Sequence, residues 1–191
     1  KQYVELCGLP VLDWSVAALD AAPSVGHIVV VCPRGRVEET RQAVDLASPA
    51  APVTFVEGGA TRQESCLAGI RAVPSGYPLV AIHDGARPLV RPETVEAVIA
   101  RVREDASLAG AICAHPSVDT LKVVEDGVVC STPERSRYWA VQTPQVFHVP
   151  VVLEAHLAAA REGFVGTDDA SLVERSGGRV AVVEGPATTR R

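Results

Sequence analysis

The feature that most limits what this chain can fold into is a series of short, nearly unbroken apolar runs. They are His27 to Cys32 (HIVVVC), Val53 to Val56, Leu79 to Ile82, Gly110 to Ala114 and Val180 to Val183. Most lack the apolar–polar alternation of a strand with one wet face; a strand covered by helices on both faces reads this way. The stretches between them carry apolar residues at helical spacing. Val11 to Ala21 puts Leu12, Val16 and Leu19 on one face; Val37 to Leu46, Arg62 to Ala72, Pro92 to Glu104 and Pro150 to Glu162 are similar. Pro92 and Pro150 fall in a first helical turn, where a missing N–H is tolerated. Strand and helix alternate, so the expected class is α/β, with three layers around a mostly parallel sheet.

Residues 115 to 149 break that rhythm. In KVVEDGVVCST, Asp126-Gly127 separates two short β-prone runs, which is a hairpin signal. The reading is an excursion that leaves the main sheet and returns near Trp139.

Composition narrows the function classes. Hydrophobic residues make up 47% of the 191, so disorder is not expected, and aromatics only 4%, so the core is aliphatic. A net charge of -5 argues against a nucleic-acid binder with a broad basic surface. No apolar run is long enough to span a bilayer and no signal peptide is visible, so no membrane partner is expected. The cysteines Cys7, Cys32, Cys66, Cys113 and Cys130 are odd in number, widely spaced and without a CxxC pair. Neither a zinc site nor a disulfide framework is suggested, and a reducing cytoplasm fits. Cys32 and Cys113 lie in strand-like runs and read as core residues.

In an open parallel sheet, ligands bind beyond the carboxyl ends of strands. Three polar clusters fall there. EGGATRQES (57 to 65) follows a strand and opens a helix at Ala60 or Thr61; Gly58 and Gly59 permit close backbone approach, and the helix N-terminal amides can hold an anion or a base edge. The same residues also suit an ordinary capped β-to-α turn. HDGARP (83 to 88) ends a buried strand. Asp84 can accept from a sugar hydroxyl or hold a metal, and Arg87 can steady it or reach a phosphate; a structural Asp–Arg pair pinning the loop is equally open. His83 reads as a hydrogen-bonded structural histidine. The third cluster is scattered over SVDTLK (117 to 122), PERSRYWAVQTPQVF (133 to 147) and GTDDAS (166 to 171), with Asp119, Thr120, Lys122, Arg135, Arg137, Gln142, Thr143, Thr167 and Asp168. Each alone also fits a solvated loop. No Ser-His-Asp triad or metal cage is apparent.

Taken together and in order, KQY, EGG..R..S, HDGARP, VDTLK, ER…WAVQTPQ.F and TDDASLVE resemble the 2-C-methyl-D-erythritol 4-phosphate cytidylyltransferase family, over nearly the whole chain. The resemblance implies a Rossmann-like nucleotidyltransferase fold in a single domain over 1–191, whose excursion (approximately 115–139) is an arm reaching the partner of a homodimer. It implies transfer of CMP from CTP to methylerythritol phosphate with release of pyrophosphate, assisted by Mg²⁺ or another divalent cation, in cytoplasmic isoprenoid synthesis by the non-mevalonate route. By motif, Lys1 matches a lysine that touches the triphosphate. Gly59 and Ser65 match positions around the cytosine. Asp84 matches an acid near the ribose and bound substrate, and Arg87 its neighbouring arginine. Thr120 and Arg135 match residues that hold the sugar phosphate across the dimer. Thr143, Thr167 and Asp168 match further pocket positions. The Mg²⁺ is expected to ride mainly on the CTP phosphates, with Asp84 the one carboxylate suited to join it.

The departures set further expectations. The family's first strand and its GxGxR loop would precede Lys1, and without them the sheet lacks a central strand. The closing helix is also expected to be missing. Ala60 stands where many members have an acid. The family's late lysine falls at or beyond Arg191, and arginine is not a simple substitute there. Rival readings are a ribitol 5-phosphate cytidylyltransferase of the same fold, a non-catalytic nucleotide-binding or dimerisation module, and an NAD-dependent enzyme; against the last, no GxGxxG is present.

Overall fold

A computed structural model describes residues 2–45 and 48–186. The elements run β1 (Glu5–Leu6), β2 (Leu9–Pro10), α1 (Val11–Asp20), β3 (Ile28–Cys32), α2 (Val37–Asp45), β4 (Val53–Glu57), α3 (Arg62–Arg71), β5 (Leu79–Ile82), α4 (Pro92–Glu104) and β6 (Gly110–Pro116). Then follow β7 (Val123–Glu125), β8 (Val128–Ser131), a 3₁₀ turn (Arg135–Arg137), β9 (Trp139–His148), α5 (Val149–Glu162), α6 (Asp169–Arg175) and β10 (Val180–Glu184). Every expected strand and helix is present within a residue or two. The β1–β2 ladder, β9 and α6 are additions to the expected pattern.

The sheet is mixed rather than mostly parallel. β3 pairs with β4 and β10 with β6 in parallel, but β9 lies antiparallel between β6 and β5. The correction has a physical source in WAVQTPQVFH. Its Gln142, Thr143 and Gln145 look like loop residues, yet all three are buried. Protein groups satisfy Thr143 and Gln145, so the strand can be buried without an apolar sequence.

Helices cover both faces of these strands. On β6, Ala111 and Cys113 pack with Val95, Val98, Ile99 and Val102 of α4. Ile112, pointing the other way, packs with Val152 and Ala155 of α5 and Leu172 and Val173 of α6. Likewise Ile28, Val30 and Cys32 of β3 meet Leu12 and Val16 of α1 and Val44 of α2. Val31 points toward α3, where Gly69 allows the approach: a Cβ there would lie 2.8 Å from Val31 Cγ2. Each buried valine contributes roughly 1.5–3 kcal/mol of transfer free energy, so α4 is held by its apolar stripe and not by its exposed ion pairs.

The sheet is interrupted at one place. β3 bonds to β4, and β5 to β9, and a cavity of about 360 Å³ lies between β3 and β5. Val29, Val31, Val80 and Ile82 line it, with Ile70 of α3 and Ile99 of α4 among its walls.

The excursion is a hairpin. Asp126 and Gly127 take φ of 48° and 79°, the pair of left-handed residues a two-residue turn of this kind needs. Both its strands are exposed along their whole length.

Candidate functional site

The carboxyl end of β5, where it runs against the middle of antiparallel β9, builds a floor from the residues HDGARP and Thr143. Arg87 Nε donates to Asp84 Oδ2 at 3.0 Å, and the Arg87 amide donates to the Asp84 carbonyl at 2.9 Å, so one tight turn fixes both charges. His83 lies beneath. Its Nε2 is 3.1 Å from the Arg87 carbonyl, which can only accept, so Nε2 carries the proton. Burial pushes the imidazole below its ordinary range and outweighs that hydrogen bond, so the ring is neutral and Nδ1 accepts. The Thr143 hydroxyl therefore donates to Nδ1 at 2.8 Å, and its oxygen faces the Asp84 amide at 3.4 Å. With both ring nitrogens engaged, His83 is a structural support, as its sequence context suggests. Ser15 Oγ of α1 donates to the Gly85 carbonyl at 3.1 Å and ties the floor to the helix layer.

The turn after β4 is an N-terminal cap. Thr61 Oγ1 accepts from the Glu64 amide, and Glu64 Oε2 accepts from the Thr61 and Ala60 amides at 3.2 and 2.6 Å. Ser65 Oγ donates to the Thr61 carbonyl at 2.8 Å and faces the Gly59 amide at 3.2 Å. Glu64 and Ser65 thus engage the Gly59, Ala60 and Thr61 amides, the geometry of the capped β-to-α turn that the sequence also suits. The two glycines are required sterically. A Cβ at Gly58 would stand 2.6 Å from Ser65 Oγ, and one at Gly59 would collide with the Glu64 side chain.

A third network adds two residues that the sequence did not single out, Asp169 and His156. Asp169, 1% exposed, accepts from Arg62 at 2.6 Å and pairs with the fully buried His156 at 3.0 Å. Burial alone would raise this carboxyl, but the His156 hydrogen bond and the Arg62 charge outweigh it and hold it below the usual range. Burial, with the Asp169 charge adding to it, pushes the neighbouring Cys66 thiol up to about 12. Asp168 caps α6, accepting from the Ser171 amide at 2.9 Å, and its second oxygen accepts from Gln145 Nε2 at 2.9 Å. The cap sequence DxxS was the available signal for this helix. The lone histidine on the apolar face of α5 was the signal for a buried partner.

Ser65, Asp84, Arg62, His83 and Cys66 line one wall region of the same cavity, with Arg87 and Thr143 bonded to its floor. Gly59 adjoins it through Ser65, and Thr167 stands exposed on the turn before Asp168. Thr120 and Arg135 lie elsewhere, on the exposed hairpin excursion; Arg135 donates to the Val118 carbonyl at 3.0 Å, within that excursion. Lys1 and Arg191 fall outside the described residues. Among the described residues, no three His, Cys, Asp or Glu side chains are grouped to hold a metal, and no helix is long and apolar enough to cross a membrane.

Known proteins share this geometry. A family model described as 2-C-methyl-D-erythritol 4-phosphate cytidylyltransferase matches residues 1–190. A relative of that name from Syntrophotalea carbinolica is 41% identical over 187 residues, covering 97% of this chain and 79% of its own. One from Symbiobacterium thermophilum is 44% identical over 186 residues, covering 97% and 76%. Among solved structures, the enzyme of that name from Thermus thermophilus superposes with a TM-score of 0.80 at 33% identity, covering 100% of this chain and 86% of that one. The 4-diphosphocytidyl-2C-methyl-D-erythritol synthase of Anaerococcus prevotii gives 0.90 at 26%, covering 99% and 82%.

Proposed function

We propose a mechanism that starts from one premise: the chain belongs to the 2-C-methyl-D-erythritol 4-phosphate cytidylyltransferase family. It is a nucleotidyltransferase that moves CMP from CTP to 2-C-methyl-D-erythritol 4-phosphate, giving 4-diphosphocytidyl-2-C-methyl-D-erythritol and pyrophosphate in isoprenoid synthesis. A phosphate oxygen of the acceptor attacks the α-phosphorus of CTP, and the bond to pyrophosphate breaks in line. The nucleophile is already an anion, so positioning and charge neutralisation carry the rate.

The observation that carries this assignment is the floor where β5 ends against the middle of β9. Asp84 is presented there at a fixed angle by Arg87, His83 and Thr143, where β5 ends beside the gap between β3 and β5. In this reading Gly59 and Ser65 border the cytosine, Asp84 and Arg87 meet the ribose and acceptor, and Thr143, Thr167 and Asp168 shape the remaining wall. Lys1 neutralises the triphosphate. Thr120 and Arg135 hold the acceptor phosphate of the partner subunit in a homodimer formed through the arm at 115–139. The interrupted sheet supports a further strand between β3 and β5, carrying the glycine-rich loop that the family places ahead of Lys1. With that strand the chain forms one Rossmann-like nucleotidyltransferase domain.

Mg²⁺ is usually bound through one or two carboxylates together with substrate phosphates, and Asp84 at the floor is a carboxylate of that kind. Asp84 would be the protein group that joins it; the cation supplies neutralisation of the triphosphate charge.

The test is pyrophosphate release by the full-length gene product with CTP, Mg²⁺ and methylerythritol 4-phosphate, with ribitol 5-phosphate run in parallel. Release with the first acceptor alone is the expected result. Release with ribitol 5-phosphate alone would move the protein to another pathway, and release with neither, in a folded protein, would sink the enzymatic reading.

A further inference from the structure

The first turn of α3 carries two neighbours that reach in one direction. Gln63 uses both ends of its amide: Nε2 donates to the Phe164 carbonyl at 3.1 Å, and Oε1 accepts from the Gly166 amide at 3.1 Å. Arg62 donates to Asp169 at 2.6 Å, and Asp169 is anchored from behind by His156. Gln145 closes the far side in the same fashion, donating to Asp168 at 2.9 Å while accepting from the Ala170 amide at 3.2 Å. The segment from Phe164 to Ala170 is thus gripped at both its ends. Exposed Thr167 sits at its middle. A bidentate amide reading a carbonyl and an N–H two residues apart mimics a strand partner and fixes both position and direction of the backbone it holds.

We propose that Gln63, assisted by Arg62, is a positioning residue: it locks the turn bearing Thr167 to the Gly58–Thr61 turn, so that the two sides of the nucleotide site move as one body. The role of Thr167 in substrate binding rests on the functional reading above; the clamp does not. Gln63 itself faces the turn and touches no reacting group. Its loss leaves the link from Arg62 to the buried Asp169–His156 pair in place, so the fold survives while the turn between Phe164 and Gly166 is released.

Two measurements test this on the full-length protein. Hydrogen exchange of the Gly166 amide should quicken at least ~10-fold in Gln63→Leu, with α5 amides unchanged. Gln42→Leu, on the outer helix α2, is the control and should leave Gly166 as it is. In a double-mutant cycle on kcat/KM, Gln63→Leu and Thr167→Ala should each cost about 10-fold, and the pair little more than either alone, because a released turn no longer presents Thr167. Unchanged exchange, or losses that multiply in the double variant, would overturn the proposal. Exchange is read on the free protein, so it decides the clamp even where no pyrophosphate is released, an outcome that would sink the functional reading instead.

Discussion

The floor and the arm solve opposite problems. At the floor, Asp84, Arg87, His83 and Thr143 satisfy one another across β5 and β9, and the side chains are half-buried or better. The arm presents Val123, Val124, Val128 and Val129 to solvent on both faces of a two-stranded ribbon, and its side-chain bonds are local, as from Lys122 to Thr132 at 2.7 Å. A lone two-stranded hairpin with apolar faces is marginal in water. The floor is therefore preorganised by its own chain, while in the proposed dimer the arm's place would be set by the second subunit. The difference teaches where to cut: floor variants should alter chemistry with the assembly intact, and arm variants should alter chemistry through the assembly.

The largest effect is expected from Asp84→Asn. It keeps the volume and removes the charge, so turnover should fall on the order of 100-fold or more. Its unfolding midpoint should move by no more than roughly 2–4 °C, equivalent to about 1 kcal/mol. Turnover within twofold of the parent would remove Asp84 from the site. Next comes the arm. Val124 and Val129 are cross-strand partners, both exposed. Val124→Lys combined with Val129→Glu should convert the proposed dimer to monomers in sedimentation and lower activity about 10-fold; on a hairpin that faces only water this opposite-charge pair would be nearly neutral.

A smaller effect follows from His83. Its folded-state pKa lies below the about 6.5 of an exposed imidazole, so the unfolded chain binds more protons in the window between the two. Stability contributed by this histidine is complete above about pH 6.5 and declines as pH falls toward the lowered value. Thermal melts from pH 7.5 to 5.5 should therefore show a steeper loss in the parent than in His83→Gln; equal slopes would mean that the imidazole is not held neutral. The smallest effect concerns thiols. Cys66, pushed up to about 12, should stay unalkylated by iodoacetamide at pH 8 in the native state, while exposed Cys7 and Cys130 react.

Much of this molecule can be read from the chain, and the limits are instructive. The strands at 28–32, 53–57, 79–82, 110–116 and 180–184 are visible because helices packed against the sheet favour nearly continuous apolar runs. β9 is not, because Gln142, Thr143 and Gln145 exchange solvent for protein partners that only the fold supplies. That hidden strand is also why the sheet is mixed. At the site, HDGARP announces itself through its position after a buried strand. Asp169, His156 and Gln63 do not, since their meaning lies in contacts reaching 13 to 107 residues along the chain. Local patterns can show that a residue is polar and out of place; they do not name its partner.

In the proposed dimer the floor of each site belongs to one subunit and the arm that completes it to the other. Asp84→Asn and Arg135→Ala full-length proteins, each inactive alone, should be unfolded together, refolded as a 1:1 mixture and assayed for pyrophosphate release. Half of the dimers would be mixed, and one of the two sites in each would combine an intact floor with an intact arm. Activity should therefore return to about a quarter of the parent value, as two-fold symmetry requires. A mixture that refolds into dimers yet stays inactive would contradict the claim and place floor and arm of one site on the same chain.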